Sequence, residues 1–222
     1  MIETHLSLLL VVIPLLAAPV TAILPNGRLP WLLTLLVSWL CFALAIWQFM
    51  MVMDGSVISY ELGGWAPPWG IEYRIDTVNA FVALIVAGMA AITLPYAMLS
   101  VEKEIPRDKL SLFYATFLLC MDGLLGITLT GDIFNLFVFL EISSLSTYTL
   151  ISMGQKRRAL TAAYQYLIMG TIGATFLLIG IGLIYAETGS LNMMDLSDRL
   201  PAVFEHRTVH TAFAFIVVGV GL

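Results

Sequence analysis

Six long apolar runs dominate the chain, and the polar residues are mostly confined to the segments between them. The runs cover residues 6–24, 30–53, 77–99, 110–130, 132–152 and 160–186. At about 1.5 Å per residue, each can cross a hydrocarbon core about 30 Å thick as an α-helix. A seventh run begins near Thr211 and ends at Leu222. The pattern predicts an all-α integral membrane protein with about six full transmembrane helices and the start of a seventh. We expect residues 1–222 to form one transmembrane domain that is truncated at its C-terminus.

Composition supports a membrane location and excludes several classes of function. Hydrophobic residues make up 60% of the chain, charged residues 11%, and the mean hydropathy is +0.96, as expected of a multi-pass protein of the cell inner (plasma) membrane. The net charge of -5 is spread over the loops, so no basic face for nucleic acid is predicted. Cys41 and Cys120 lie inside apolar runs without a paired motif and are interpreted as small hydrophobic residues. We predict no metal, cofactor or catalytic site, and any enzymatic role only as a subunit of a redox-driven ion translocase.

The segments between the runs alternate in charge, which predicts the orientation of the bundle. Seven of the ten Lys and Arg residues lie in the first, third and fifth loops: Arg28, Lys103, Arg107, Lys109, Lys156, Arg157 and Arg158. Because cytoplasmic loops are enriched in Lys and Arg, the N-terminus is expected to face outward. The second loop, residues 54–76, is rich in Gly and Pro and carries Trp65 and Trp69. We interpret it as an extracytoplasmic hairpin or cap.

Glu141 is the one carboxylate in the middle of the fifth apolar run, which begins at Asp132. An ionised Glu at bilayer depth costs a few kcal/mol, so it is usually retained for a proton or ion path or for a buried partner. On one side of Glu141 the helix carries hydroxyl groups, among them Ser144, Thr147 and Tyr148. These hydroxyls could line a water-containing path from Glu141 to one side of the membrane. Each is equally suited to hydrogen bonding between helices or back to the preceding turn.

Asp122 is a second carboxylate within an apolar run. The fourth and fifth runs are joined by a very short link near Gly131, so their helices are expected to be antiparallel neighbours. Counted from this link, Asp122 and Glu141 both lie about 12–14 Å deep. Two carboxylates at one depth in a low dielectric should not both ionise, which suits proton loading or Na⁺ binding. Alternatively, Asp122 bonds to backbone or water near the helix junction.

The segment from Leu129 to Tyr148, LTGDIFNLFVFLEISSLSTY, resembles the fifth-helix region of the antiporter-like membrane subunits. This superfamily occurs in respiratory complex I, in membrane-bound hydrogenases and in Mrp-type Na⁺/H⁺ antiporters. Two further segments, Arg74–Phe81 and Tyr164–Gly170, are similar to the same subunits, and all three segments are most similar to the D-type membrane component of Mrp antiporters. The resemblance extends over most of the chain.

The resemblance implies a fold of about fourteen helices with two inverted five-helix repeats, of which this chain would hold the lead-in helices and most of the first repeat. It also implies a proton path in which Glu141 pairs with a lysine on a broken seventh helix, beyond Leu222. The implied function is proton translocation, with H⁺/Na⁺ antiport in a hetero-oligomeric complex of membrane subunits in the lipid bilayer. Two alternatives stay open: a non-conducting structural or assembly subunit, and a proton-pumping subunit of a complex I-like or hydrogenase complex. Asp122 has no assigned counterpart in this pattern.

Overall fold

The six predicted spans are all α-helices in the computed structural model, which describes residues 5–222. All six are long and apolar enough to cross a membrane. The prediction of six spans is confirmed, and most bounds agree within three residues. The third helix continues past residue 99 because charged residues at its end extend it into the polar interface. The helices are α1 (Leu6–Ile23), α2 (Arg28–Val52), α3 (Thr77–Glu104), α4 (Leu110–Leu129), α5 (Ile133–Ser152) and α6 (Arg157–Thr188).

Two shorter helices follow the sixth span. The first of them, α7 (Met193–Val203), was not predicted, because a short amphipathic helix produces no long apolar run. Its N-terminus is capped by Asn192, whose Oδ1 accepts from the backbone N–H groups of Met194 (3.0 Å) and Asp195 (3.1 Å). The second, α8 (Arg207–Gly221), starts four residues before Thr211 because polar residues form its first turn.

The loop predicted to form a hairpin or cap is a β-hairpin. Strands β1 (Ile58–Glu61) and β2 (Glu72–Ile75) pair antiparallel, with Ile58 opposite Ile75 and Glu61 opposite Glu72. The connection opens with a turn at Leu62–Gly64, in which Gly63 and Gly64 have φ values of 71° and 75°. This left-handed backbone region favours glycine. The hairpin is therefore confirmed, and its side of the membrane stays a prediction.

The hairpin is tied by backbone hydrogen bonds to the ends of the helices beneath it. The N–H of Gly131, in the α4–α5 turn, donates to the Glu72 carbonyl at 2.8 Å. The N–H of Met193 donates to the Gly131 carbonyl, and that of Ile133 to the Leu191 carbonyl, each at 2.9 Å. Strand β2, the α4–α5 turn and the α6–α7 connection therefore form one hydrogen-bonded cap at this end of the bundle.

The Glu72 side chain, which is only 5% exposed, joins strand β2 to strand β1 and to the α6–α7 connection. The Ser59 hydroxyl donates to Glu72 Oε1 at 2.6 Å, and Asn192 Nδ2 donates to Glu72 Oε2 at 2.9 Å. We call these three residues the Glu72 cluster. Because each carboxylate oxygen has a donor, the buried charge is well compensated.

The helices pack in two groups. The main apolar core lies among α1, α2, α3 and α4, where Leu10, Cys41, Ala87 and Leu125 are fully buried. In the second group α5 packs on α6, and α6 packs on α8, while α5 also packs on α4 and so joins the two groups. The small residues of α6 permit the close approach of α8: a Cβ at Gly180, for example, would lie 2.9 Å from the Ala212 carbonyl oxygen of α8. Small residues of α6 thus allow the two helix backbones to pack closely.

Candidate functional site

The α4–α5 turn sets the height of Glu141 along the bundle. Asp132 caps the N-terminus of α5, accepting the Asn135 N–H at 2.7 Å through Oδ1. The Asn135 amide in turn donates to the Thr130 hydroxyl at 3.1 Å. With the start of α5 held in this way, Glu141 follows a little over two turns later. The predicted antiparallel pairing of α4 and α5 is confirmed.

Two glycines of α4 set the rotation of α5 about its axis. A Cβ at Gly123 would lie 2.8 Å from the Phe139 carbonyl oxygen and 2.7 Å from the Ser143 nitrogen, and a Cβ at Gly126 would overlap the Phe139 ring. Phe139 and Ser143 therefore face α4. At 100° per residue, Glu141 lies about 180° from the midpoint of these two residues. Glu141 is consequently on the side of α5 turned away from α4.

On that side Glu141 meets a cavity of about 390 Å³ between α5, α6 and α8. From α5 the cavity is lined by Glu141, Ser144 and Tyr148, and from α6 by Tyr166 and Gly170. The rings of Tyr148 and Tyr166 meet edge to face, with centroids 4.7 Å apart. The Tyr148 hydroxyl lies against Gly170, where any Cβ would overlap it. The cavity thus has one carboxylate and several hydroxyl groups along an otherwise apolar wall, which also includes Phe137, Leu140, Gly173, Ala174, Leu177 and residues 219–222.

Of the candidate residues of α5 predicted from the sequence, three line this cavity, and the fourth, Thr147, does not. Glu141, Ser144 and Tyr148 follow each other at intervals of three and four, which places them on one face of a helix. Thr147 is turned towards α4: its hydroxyl donates to the Ser143 carbonyl at 2.8 Å and lies 3.5 Å from Cys120 Sγ. The interhelical and back-bonding alternative therefore describes the contacts of Thr147.

Asp122 lies outside the Glu141 cavity. Its side chain is fully buried in α4, and neither carboxylate oxygen has a hydrogen-bond partner within residues 5–222. Cys41 of α2 and Tyr73 of β2 are among its neighbours. Burial raises the pKa of Tyr73, which lies in the hairpin, to about 12. Asp122 therefore lies on the side of α4 that faces α2 and the hairpin, whereas Glu141 faces α6 and α8.

Tyr166 and Gly170 were missed as site residues by sequence reasoning. Both lie in α6, four residues apart, and so belong to one helix face. Glycines in a membrane helix favour close packing, but they do not show which helix will pack against them. Within residues 5–222, no group of three or more His, Cys, Asp or Glu side chains is arranged to hold a metal ion.

Comparison with known proteins places the chain among membrane subunits. Residues 130–222 match the family described as NADH:quinone oxidoreductase/Mrp antiporter, transmembrane. A protein named NADH-quinone oxidoreductase subunit N, from Desulforudis audaxviator, is 42% identical over 98% of this chain and 44% of its own length.

Solved structures show the same relationship. A chain of the membrane-bound sulfane sulfur reductase, an archaeal respiratory membrane complex, matches with a TM-score of 0.90 and 33% identity over 98% of this chain and 44% of its own. A chain of the Mrp complex from Dietzia sp. DQ12-45-1b matches with a TM-score of 0.85 and 27% identity over all of this chain and 41% of its own. Both assemblies are complexes by name, and the first is named as a respiratory membrane complex.

The family resemblance predicted from the sequence is confirmed on both its complex I side and its Mrp side. The chain spans 44% of the length of the curated subunit N relative. The apolar helices and these relatives together identify a multi-pass membrane protein. The chain is thus similar to antiporter-like membrane subunits, and its residues 130–222 match the NADH:quinone oxidoreductase/Mrp antiporter family.

Proposed function

We propose that this chain takes part in proton translocation as one membrane subunit of a multisubunit complex, with Glu141 as an intramembrane proton site. The observation that carries the proposal is the exposure of the Glu141 carboxylate to a cavity within the bundle that also holds the hydroxyls of Ser144 and Tyr148. An ionisable group at membrane depth that faces a cavity is characteristic of proton and ion pathways.

The cavity is large enough to hold water molecules beside Glu141. Its volume of about 390 Å³ leaves room for several water molecules, each of which occupies about 30 Å³ in the liquid. Water beside Glu141 would lower the cost of its ionised form, and the hydroxyls of Ser144 and Tyr148 both donate and accept hydrogen bonds. A proton bound at Glu141 would therefore have a hydrogen-bonded route away from it.

H⁺/Na⁺ exchange at the same carboxylate is the mode of coupling that we favour. Na⁺ is a hard cation that prefers oxygen ligands, and Glu141, Ser144 and Tyr148 supply carboxylate and hydroxyl oxygens on one wall of the cavity. If H⁺ and Na⁺ compete for Glu141, occupancy by one releases the other. This competition provides the simplest form of antiport.

Other membrane subunits, in the inner (plasma) membrane, are the proposed partners. The two similar solved structures are named as complexes, one as a respiratory membrane complex and the other as an Mrp complex. Redox-driven proton pumping is the second candidate function. It is favoured by the similarity to a protein named NADH-quinone oxidoreductase subunit N and to a chain of a respiratory complex. Glu141 has the same proposed role in both candidates.

Substitution of Glu141 tests the proposal. We expect Glu141→Gln and Glu141→Ala to reduce proton movement to the background of vesicles that lack the complex, because neither side chain can carry a proton through the pKa range of a carboxylate. The measurement is ΔpH in inverted membrane vesicles that contain the whole complex, driven once by a Na⁺ gradient and once by NADH. The matched control is Glu61→Gln, which changes an exposed glutamate of the hairpin. Undiminished transport with normal assembly would instead favour a non-conducting structural role.

Asp122 is proposed as a second proton-binding group, away from the Glu141 cavity. A fully buried carboxylate without a hydrogen-bond partner is costly to ionise, so it would carry its proton at rest. Asp122→Asn keeps the shape and removes the titration. We expect it to shift the pH dependence of transport in the same vesicles. An unchanged pH profile would leave Asp122 with a structural role.

A further inference from the structure

A second cavity lies at the opposite end of the bundle from the hairpin, where α3 ends, α4 begins and α5 turns into α6. Its volume is about 450 Å³. Lys103 and Lys156 are part of its lining, and Phe113, Leu150 and Ile151 form an apolar wall. We call this cavity the lysine pocket. It is separate from the Glu141 cavity, with which it shares no lining residue.

The two lysines have no carboxylate partner within 4 Å among residues 5–222. Both are exposed at the ends of membrane-spanning helices. Arg157 and Arg158 directly follow Lys156 in the first turn of α6, and Glu104 contributes the one acidic side chain of the lining. Positive charge therefore exceeds negative charge around the pocket.

The N-terminus of α6 adds to this field. Lys156 is its N-cap residue, no side chain of the described residues caps it, and its first turn has no acidic residue. The amide groups of a helix N-terminus carry a partial positive charge and favour a bound anion. With the ammonium groups of Lys103 and Lys156 beside it, the pocket is suited to a phosphate group.

The position of the pocket selects the source of that phosphate. Its charged residues lie where the spans leave the hydrocarbon core, and its apolar wall is built from residues of α4 and α5. An amphiphile with an anionic head and an acyl chain matches both parts. We propose that the lysine pocket binds an anionic phospholipid, with its phosphate at Lys103 and Lys156 and an acyl chain along Phe113, Leu150 and Ile151.

Lipid binding to the full chain in its purified, delipidated complex tests this assignment. The probes are phosphatidylglycerol and phosphatidylcholine in detergent micelles, and bound lipid is measured by native mass spectrometry. We expect the Lys103→Gln/Lys156→Gln variant to bind phosphatidylglycerol about 30-fold more weakly, since each lysine near a headgroup contributes about fivefold in affinity. Binding of phosphatidylcholine should change much less.

Two further variants separate the pocket from general surface charge. Arg107→Gln/Lys109→Gln removes two positive charges from the same end of the bundle without touching the pocket lining, and should bind phosphatidylglycerol within about twofold of the parent. Ala159→Phe fills the pocket with no change of charge and should weaken binding.

Three results would overturn the assignment. The first is unchanged affinity in the Lys103→Gln/Lys156→Gln variant, and the second is an equal loss in Arg107→Gln/Lys109→Gln. The third is displacement of phosphatidylglycerol by glycerol 3-phosphate at equal concentration, because a ligand without acyl chains would then bind as well and the pocket would be a site for free phosphate esters.

Discussion

Replacing Glu72 by alanine should destabilise the cap that joins the hairpin to the helix ends. Both oxygens of this buried carboxylate accept hydrogen bonds, from Ser59 at 2.6 Å and from Asn192 at 2.9 Å. A hydrogen bond to a charged group contributes about 1.5–3 kcal/mol, so the loss of both corresponds to about 3–6 kcal/mol. Even the lower value would reduce Tm by about 6–12 °C in a chain of this length.

Replacing Glu72 by glutamine should reduce stability much less, because both hydrogen-bond donors of the carboxylate can still be paired. The Asn192 Oδ1 accepts from two backbone N–H groups of α7, so the Asn192 amide cannot turn over and its Nδ2 must donate. The Ser59 hydroxyl can reverse its role. A glutamine oxygen would accept from Asn192 while its amide donates to Ser59, so both contacts survive as neutral hydrogen bonds. We expect Glu72→Gln to cost about 1–2 kcal/mol.

The measurement is thermal unfolding of the purified chain in detergent, followed by tryptophan fluorescence. The matched control is Glu61→Ala. Glu61 lies directly opposite Glu72 in the hairpin, is exposed, and makes no side-chain hydrogen bond within residues 5–222. Its removal should be neutral or slightly stabilising, because like charges opposite each other repel. The reasoning fails if Glu72→Ala unfolds at the same temperature as Glu61→Ala.

Two further substitutions test the elements that position Glu141. Asp132→Ala removes the N-cap of α5 and should lower stability by about 1 kcal/mol in the same unfolding assay; an unchanged Tm would contradict a capping role. Gly170→Ala would push its Cβ into the Tyr148 hydroxyl, shift that ring within the cavity and reduce vesicle transport, with an overpacking cost of about 1–3 kcal/mol. Gly182→Ala in the same helix meets nothing within 4 Å and should leave transport and stability unchanged, whereas equal losses in both glycine variants would rule out a specific effect at Tyr148.

The membrane-spanning helices were predictable because their signal is local. A run of apolar residues of bilayer length becomes a helix in lipid, since every backbone polar group there needs an internal partner. The α7 helix was not predictable by the same rule. It is amphipathic, only 11 residues long, and is positioned by the Asn192 cap and by backbone bonds to residues distant in sequence. The Glu72 cluster likewise joins residues up to 120 positions apart, which no local pattern reveals.

At the candidate site, too, one property followed from the local sequence and another depended on tertiary packing. Counting along the apolar runs placed Asp122 and Glu141 at similar distances from the α4–α5 turn, because the rise of a helix is constant. It could not decide whether the two carboxylates face each other, since rotation about the axis depends on packing. Gly123 and Gly126 admit the Phe139 side of α5, and this contact turns Glu141 towards the cavity lined by α6 and α8, away from α4. Height along the bundle is therefore a property of the chain alone, whereas the direction of each side chain follows from which helices can approach closely.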